Sequence, residues 1–178
     1  KAGAGVVTGI QNTYIGKGVG LVASGSAADA NVGLGHRAFN YLTSGSNNTG
    51  LGAYAAHQIV NASNTVALGH YTLANAKTST DIAGCVAIGS YSQAENLTGQ
   101  GNVAVGYQTL DAITDSDYNT AVGHQALSGL TASGVSGNTA VGWNAGILIS
   151  SGKYNTLFGT VAGDGFDAEE YNTFIGYA

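Results

Sequence analysis

The stretch Asn119-Thr120-Ala121-Val122-Gly123-His124-Gln125-Ala126-Leu127 returns, with substitutions, along the whole sequence. Well-kept copies open at Asn12, Asn31, Asn48, Asn102, Asn138, Asn155 and Asn172. Two degraded copies run Thr65-Val66-Ala67-Leu68-Gly69 and Cys85-Val86-Ala87-Ile88-Gly89, which makes ten copies in 178 residues. One such copy cannot hide its own apolar face, so copies must stack on one another.

The glycines that close the copies are Gly16, Gly35, Gly52, Gly69, Gly89, Gly106, Gly123, Gly142, Gly159 and Gly176, spaced by 19, 17, 17, 20, 17, 17, 19, 17 and 17 residues. One long and two short spacings recur, a superperiod of 53, 54 and 53 residues. Within each copy the residue before the glycine is apolar and large, and Thr or Val stands two residues earlier. Alternation at period two puts this pair on one face of a strand, with Ala or Gly on the other. The glycine ends the strand where a bend needs no Cβ. A second apolar point, Ala38-Phe39 or Ala126-Leu127, is expected to start another short strand, before Ser/Gly/Asn/Asp clusters turn the chain. No apolar stripe of helical period occurs. Seventeen extended residues reach about 56 Å, so each copy must fold into two or three short strands.

Residues 1–178 are therefore read as one all-β repeat domain, a β-solenoid or β-roll of ten ~17-residue repeats with a ~53-residue three-repeat superperiod. One copy per turn is the preferred geometry. A three-sided coil, with three copies per turn and its insertions stacked along one edge, is the alternative. Ile15, Leu34, Leu51, Leu68, Ile88, Val105, Val122, Val141, Phe158 and Ile175 are expected to form one continuous buried ladder.

Composition narrows the function classes. The net charge is −5, and the five basic residues are scattered, so there is no footprint for nucleic acid. No apolar run approaches the length of a membrane span. Cys85 is the one cysteine, which rules out an intrachain disulfide and reads as a small buried hydrophobe. The start of the chain has no signal-peptide layout, so a leader is expected to be removed or to lie outside it. Asn47, Asn61 and Asn96 head Asn-x-Ser/Thr triplets, as expected by chance in an Asn/Ser/Thr-rich chain.

The returning Asn-Thr-Ala-Val-Gly-x-x-Ala-Leu unit resembles the repeats of bacteriophage tail-fibre proteins. It is more distantly similar to the head repeats of trimeric, YadA-like autotransporter adhesins. The resemblance covers nearly the whole chain. It implies a trimeric, rod-like binding element, extracellular or on a virion surface. Separately from the resemblance, no catalytic residue and no cofactor are expected.

Few constellations carry chemistry. Gly33-x-Gly35-x-x-Ala38 and Gly50-x-Gly52-x-x-Ala55 mimic a dinucleotide fingerprint but are instances of the repeat with no helix to follow. His36, His70 and His124 directly follow an anchor glycine, a slot that also holds Lys17, Tyr107, Trp143 and Tyr177, so it reads as an exposed rim. His57 is the fourth histidine. Asp111 and Asp164, like Asp117 and Glu170, lie 53 residues apart. In a three-sided coil they would face each other and want a Ca²⁺ ion. In the preferred roll they are solvated turns three copies apart, and no metal site is expected. Nine of the ten tyrosines, all but Tyr14, and Trp143 recur in or beside turns, where rings with amides suit a cell-surface glycan or a subunit contact.

The resulting expectation is a non-enzymatic structural fibre segment, a homo-oligomer that assembles and attaches to a surface. A secreted subunit polymerising head to tail and a glycan-degrading solenoid enzyme are the alternatives. Regular copies run to both ends without a cap, which predicts that the rungs continue into further repeats or into another copy.

Overall fold

A computed structural model describes residues 1–4, 9–21, 27–75 and 82–178. Its strands are β1 (Thr13–Ile15), β2 (Val32–Leu34), β3 (Thr49–Leu51), β4 (Ala62–Ser63), β5 (Val66–Leu68), β6 (Ile82–Ala83) and β7 (Val86–Ile88). They continue with β8 (Val103–Val105), β9 (Ser116–Asp117), β10 (Thr120–Val122), β11 (Gly134–Val135), β12 (Thr139–Val141), β13 (Thr156–Phe158) and β14 (Thr173–Ile175). The ten three-residue strands form one sheet in the order β1-β2-β3-β5-β7-β8-β10-β12-β13-β14. All its pairings are parallel, and Thr120 lies opposite Val103 on one side and Thr139 on the other. Partners are thus one copy apart, not three. Each copy makes one turn of a β-solenoid of about nine turns, and the three-sided alternative is set aside.

The expected second strand is a different structure. After each glycine the chain bends through residues with positive φ, Gln125 at 55° and Leu127 at 51°, or Tyr71 at 53° and Leu73 at 48°. A non-glycine residue there costs roughly 1–2 kcal/mol. Bonds between turns offset the cost: Gln125 N–H donates to Tyr107 O one turn back (2.9 Å), and Leu127 N–H donates to Ala145 O one turn on (3.0 Å). The two positive-φ positions stand two residues apart. One bonds each way along the rod, as a strand would, while the chain curves as a strand could not.

The asparagine that opens eight of the ten copies clamps the turn. Asn48 Nδ2 donates to Asn31 Oδ1 (2.9 Å) and to Ala62 O in its own spacer (2.7 Å), and Asn31 Oδ1 also accepts the backbone N–H of Asn48 (3.0 Å). The same pattern joins Asn119 to Asn102 and Asn155 to Asn138. The anchor glycines sit where turns touch, since a Cβ on Gly123 would stand 2.3 Å from Gly142 O.

The core reverses the expectation for the ladder. Ile15 is 58 % exposed, Leu34 44 %, Phe158 57 % and Ile175 74 %, while Leu51, Leu68, Ile88, Val105, Val122 and Val141 are half-buried. The ladder is continuous and in register, but it faces outward. The small residues between, Ala67, Ala87, Ala104, Ala121 and Ala140, are the buried ones. Interior volume explains this. The bend fills the core from the opposite side with Phe39, Leu73, Leu110 and Leu127, and the spacer adds Leu42, Ile59, Ile113, Leu130 and Ile149. A Cβ on Gly50 would stand 2.7 Å from the Phe39 ring. Where the bend carries Gly20 or Gly163 instead, the strand supplies Tyr14 or Leu157, whose side chains pack within 2.6 Å and 2.8 Å of a Cβ placed there. Room inside is fixed, and only one wall can be large.

One turn breaks the apolar core. At Ser92, Gln93 and Asn96 it puts polar side chains where other turns carry Ala, Leu and Ile, and the core divides there into two clusters. Gln93 Nε2 donates to Val86 O (3.0 Å) and Asn102 O (3.2 Å), and Asn96 Nδ2 donates to Gln93 Oε1 (3.1 Å). Every amide there is satisfied, as burial requires.

Candidate binding surface

The outward face of the ten-stranded sheet carries two straight columns. One is Thr13, Val32, Thr49, Val66, Val86, Val103, Thr120, Thr139, Thr156 and Thr173; the other is the displaced ladder from Ile15 to Ile175. None of these twenty positions is charged. Strands about 4.8 Å apart make the strip about 43 Å long. Its apolar nature was visible in the sequence, but its direction was not.

Beside the strip runs the rim that follows the anchor glycines. His70, Tyr107, His124 and Trp143 are exposed there, as the sequence predicts. The rings form a chain from turn to turn. His36 meets Tyr54 edge-on at 5.1 Å, Tyr54 stacks on Tyr71 at 4.8 Å, and Tyr71 stacks on Tyr91 at 5.7 Å. Tyr91 then meets Tyr107 at 6.4 Å, and Tyr107 stacks on His124 at 5.3 Å. His57 is buried between Tyr41 and Tyr54, with Nδ1–H donating to Arg37 O (3.2 Å). Burial holds its pKa below the usual 6.5, helped by the nearby charges of Arg37 and His36 and opposed by the hydrogen bond.

The acidic spacers do not converge. Asp111 and Asp164, and likewise Asp117 and Glu170, are three turns apart, about 14 Å along the rod. Among the described residues no three His, Cys, Asp or Glu side chains meet as a cation site, and the facing carboxylate pairs expected of a three-sided coil do not form. Asp117 Oδ1 instead accepts the Gln100 N–H (2.8 Å). Burial raises the Asp111 pKa, with a smaller push from Glu95. Cys85 takes the clamp position of the missing asparagine, its Sγ donating to Gly99 O (3.3 Å). Burial pushes its pKa up to about 11, so the thiolate needed for nucleophilic chemistry is scarce at neutral pH. Asn96 is likewise buried and engaged, whereas Asn47 is exposed.

Among the described residues no helix is long and apolar enough to cross a membrane. No family model, curated protein or solved structure matches this chain.

Proposed function

We propose that this chain is a non-enzymatic structural fibre segment, extracellular or virion-borne, whose rods assemble side by side through the apolar strip and attach to a cell-surface glycan. The carrying observation is that the strip runs through all ten rungs without one charge. Its partner must repeat at the same rise along a straight line, and another copy of the rod does. Three strips closed about one axis give the trimer that the repeat resemblance implies. Burying apolar area at about 25 cal/mol per Å² supplies the drive, and it grows with every rung added.

Light scattering on the purified chain tests the reading. The expected mass is three times the 17.7 kDa of one chain. Val122→Asp and Leu68→Asp, both in the strip, should each return the mass of a single chain. A parent that runs as a monomer, or filaments that persist in both variants, would overturn lateral assembly.

A further inference from the structure

Three successive turns carry an exposed ring directly after their anchor glycine, Tyr107, His124 and Trp143. The next residues along the chain form a parallel column of amides, Gln108, Gln125 and Asn144. Backbone bonds fix both columns to the rod: Gln125 N–H donates to Tyr107 O and Asn144 N–H to His124 O, each at 2.9 Å. Successive rings therefore rise by one rung, about 4.8 Å. No charged side chain stands in either column over these turns.

Much of the aromatic rim is closed on itself, and within the patch Tyr107 stacks on His124 at 5.3 Å. Tyr54, Tyr71 and Tyr91 stack face to face, at 22° and 9°, and spend their ring faces on one another. Trp143 is different. It is 52 % exposed and, among the described residues, pairs with no other ring. The amides beside it are also incompletely used. Gln125 Nε2 donates to Gln108 Oε1 (3.2 Å), while Asn144 Oδ1 is covered and accepts no hydrogen bond. A covered acceptor without a partner is costly, and turning that side chain toward a hydroxyl relieves the cost.

We propose that Trp143, His124 and Tyr107, with Gln108, Gln125 and Asn144, bind a neutral, extended glycan lying along the rod. A pyranose offers a C–H face to the Trp143 ring and hydroxyls at its edge to the amides. A sugar residue is about as long as a rung is tall, so successive sugars meet successive turns. The absence of Lys or Arg from both columns over these three turns, on a chain of net charge −5, selects against acidic glycans. Single-site binding is weak, and copies assembled side by side raise it by avidity. The inference rests on the attachment half of the proposed function and is independent of the assembly half.

Trp143 is the one tryptophan in the chain, so its fluorescence reports on the patch directly. Maltohexaose, cellohexaose, laminarihexaose and chitohexaose are titrated into the full chain, followed by emission and by calorimetry. At least one should shift the emission to the blue and protect it from acrylamide. Calorimetry on Trp143→Ala and Gln125→Ala should show affinity lower by about tenfold or more, with unchanged melting, while Tyr71→Ala binds as the parent does. Val122→Asp separates the two readings. If it runs as a monomer and keeps its per-chain affinity, the patch stands whatever becomes of assembly; if it loses that affinity, the patch belongs to an interface and the inference fails. Silence from all four hexaoses at millimolar concentration, parental affinity in Trp143→Ala, or binding of acidic oligosaccharides alone would each overturn it.

Discussion

The two faces of the ten-stranded sheet are made by the same three-residue strands, yet they obey opposite rules. Inward, Ala121 and its counterparts meet a wall already filled by Leu127 and Leu110, and the space left admits little more than a methyl group. Outward, Val122 and its counterparts have neighbouring rungs beside them but no wall opposite, and remain partly exposed. The larger side chains therefore sit on the outside. The contrast teaches that hydrophobic size does not decide which face is buried; what stands opposite does.

The largest expected effect breaks this contrast with one substitution on each face. Ala121→Asp would bury an unpaired charge in a site without room for it, and should cost more than about 4 kcal/mol and abolish cooperative melting. Val122→Asp, its immediate neighbour, should change the stability of the isolated rod by about 1 kcal/mol or less. Its effect should appear instead as a melting temperature independent of protein concentration, where that of the parent rises with concentration by mass action. Circular dichroism melts over a hundredfold range of concentration make the comparison. Equal damage from the two substitutions would return the ladder to the core.

A smaller effect sharpens the inward rule. Gly50 has ordinary backbone angles and lacks only the space for a Cβ, which would stand 2.7 Å from the Phe39 ring. Gly50→Ala should cost about 1–3 kcal/mol through overpacking. With Phe39→Leu in the same chain the clash is relieved, so the double variant should be more stable than the two single costs add up to, by about 0.5–3 kcal/mol. Leu51→Val, on the outer face of the same strand, should cost less than about 0.5 kcal/mol. Strict additivity of Gly50→Ala and Phe39→Leu in urea melts would show that the two walls do not share a fixed volume.

The period, the all-β class, the strand ending at each glycine and the exposed rim could all be read from residue spacing, because spacing survives stacking unchanged. Facing could not. Period-two alternation separates Val122 from Ala121 but is symmetric about the strand, and size alone points to the larger partner as the buried one. A signal that settles it lies elsewhere in the copy: where the bend has Gly20 or Gly163 the strand has Tyr14 or Leu157, and where the bend has Phe39 the strand has Gly33. That compensation has meaning only once the bend is known to face the strand across the interior. The bend itself reads as a strand in the sequence, since Gln125 and Leu127 adopt backbone angles that no residue type in the motif announces. The acidic spacers failed for a simpler reason: 53 residues proved to be three turns rather than one. At the rim, the rings were legible, but which of them keeps a free face was not.

The smallest expected effect uses pH to ask whether an inward perturbation stays independent of the outer face. His57 is buried, and the charged groups acting on it, Arg37 and His36, are both cationic when ionised. Its folded pKa therefore lies below the 6.5 of the unfolded chain. At pH 7 both states are mainly unprotonated at this ring, and the histidine costs little. As the pH falls below 6.5 the unfolded chain gains a proton that the rod refuses, so stability declines until the folded pKa is passed. Burial shifts Asp111 the other way, which adds stability on acidification equally in the parent and in His57→Ala, so the difference between the two isolates the histidine. Melting temperatures at pH 7, 6 and 5 should therefore fall in the parent and fall less in His57→Ala, which places there the residue that Ala74 and Ala94 supply in two following turns. Val122→Asp should keep the parental slope even as it loses association. A slope that vanishes in Val122→Asp and persists in His57→Ala would place the pH response on the outer face, and with it the histidines of the rim rather than the one inside.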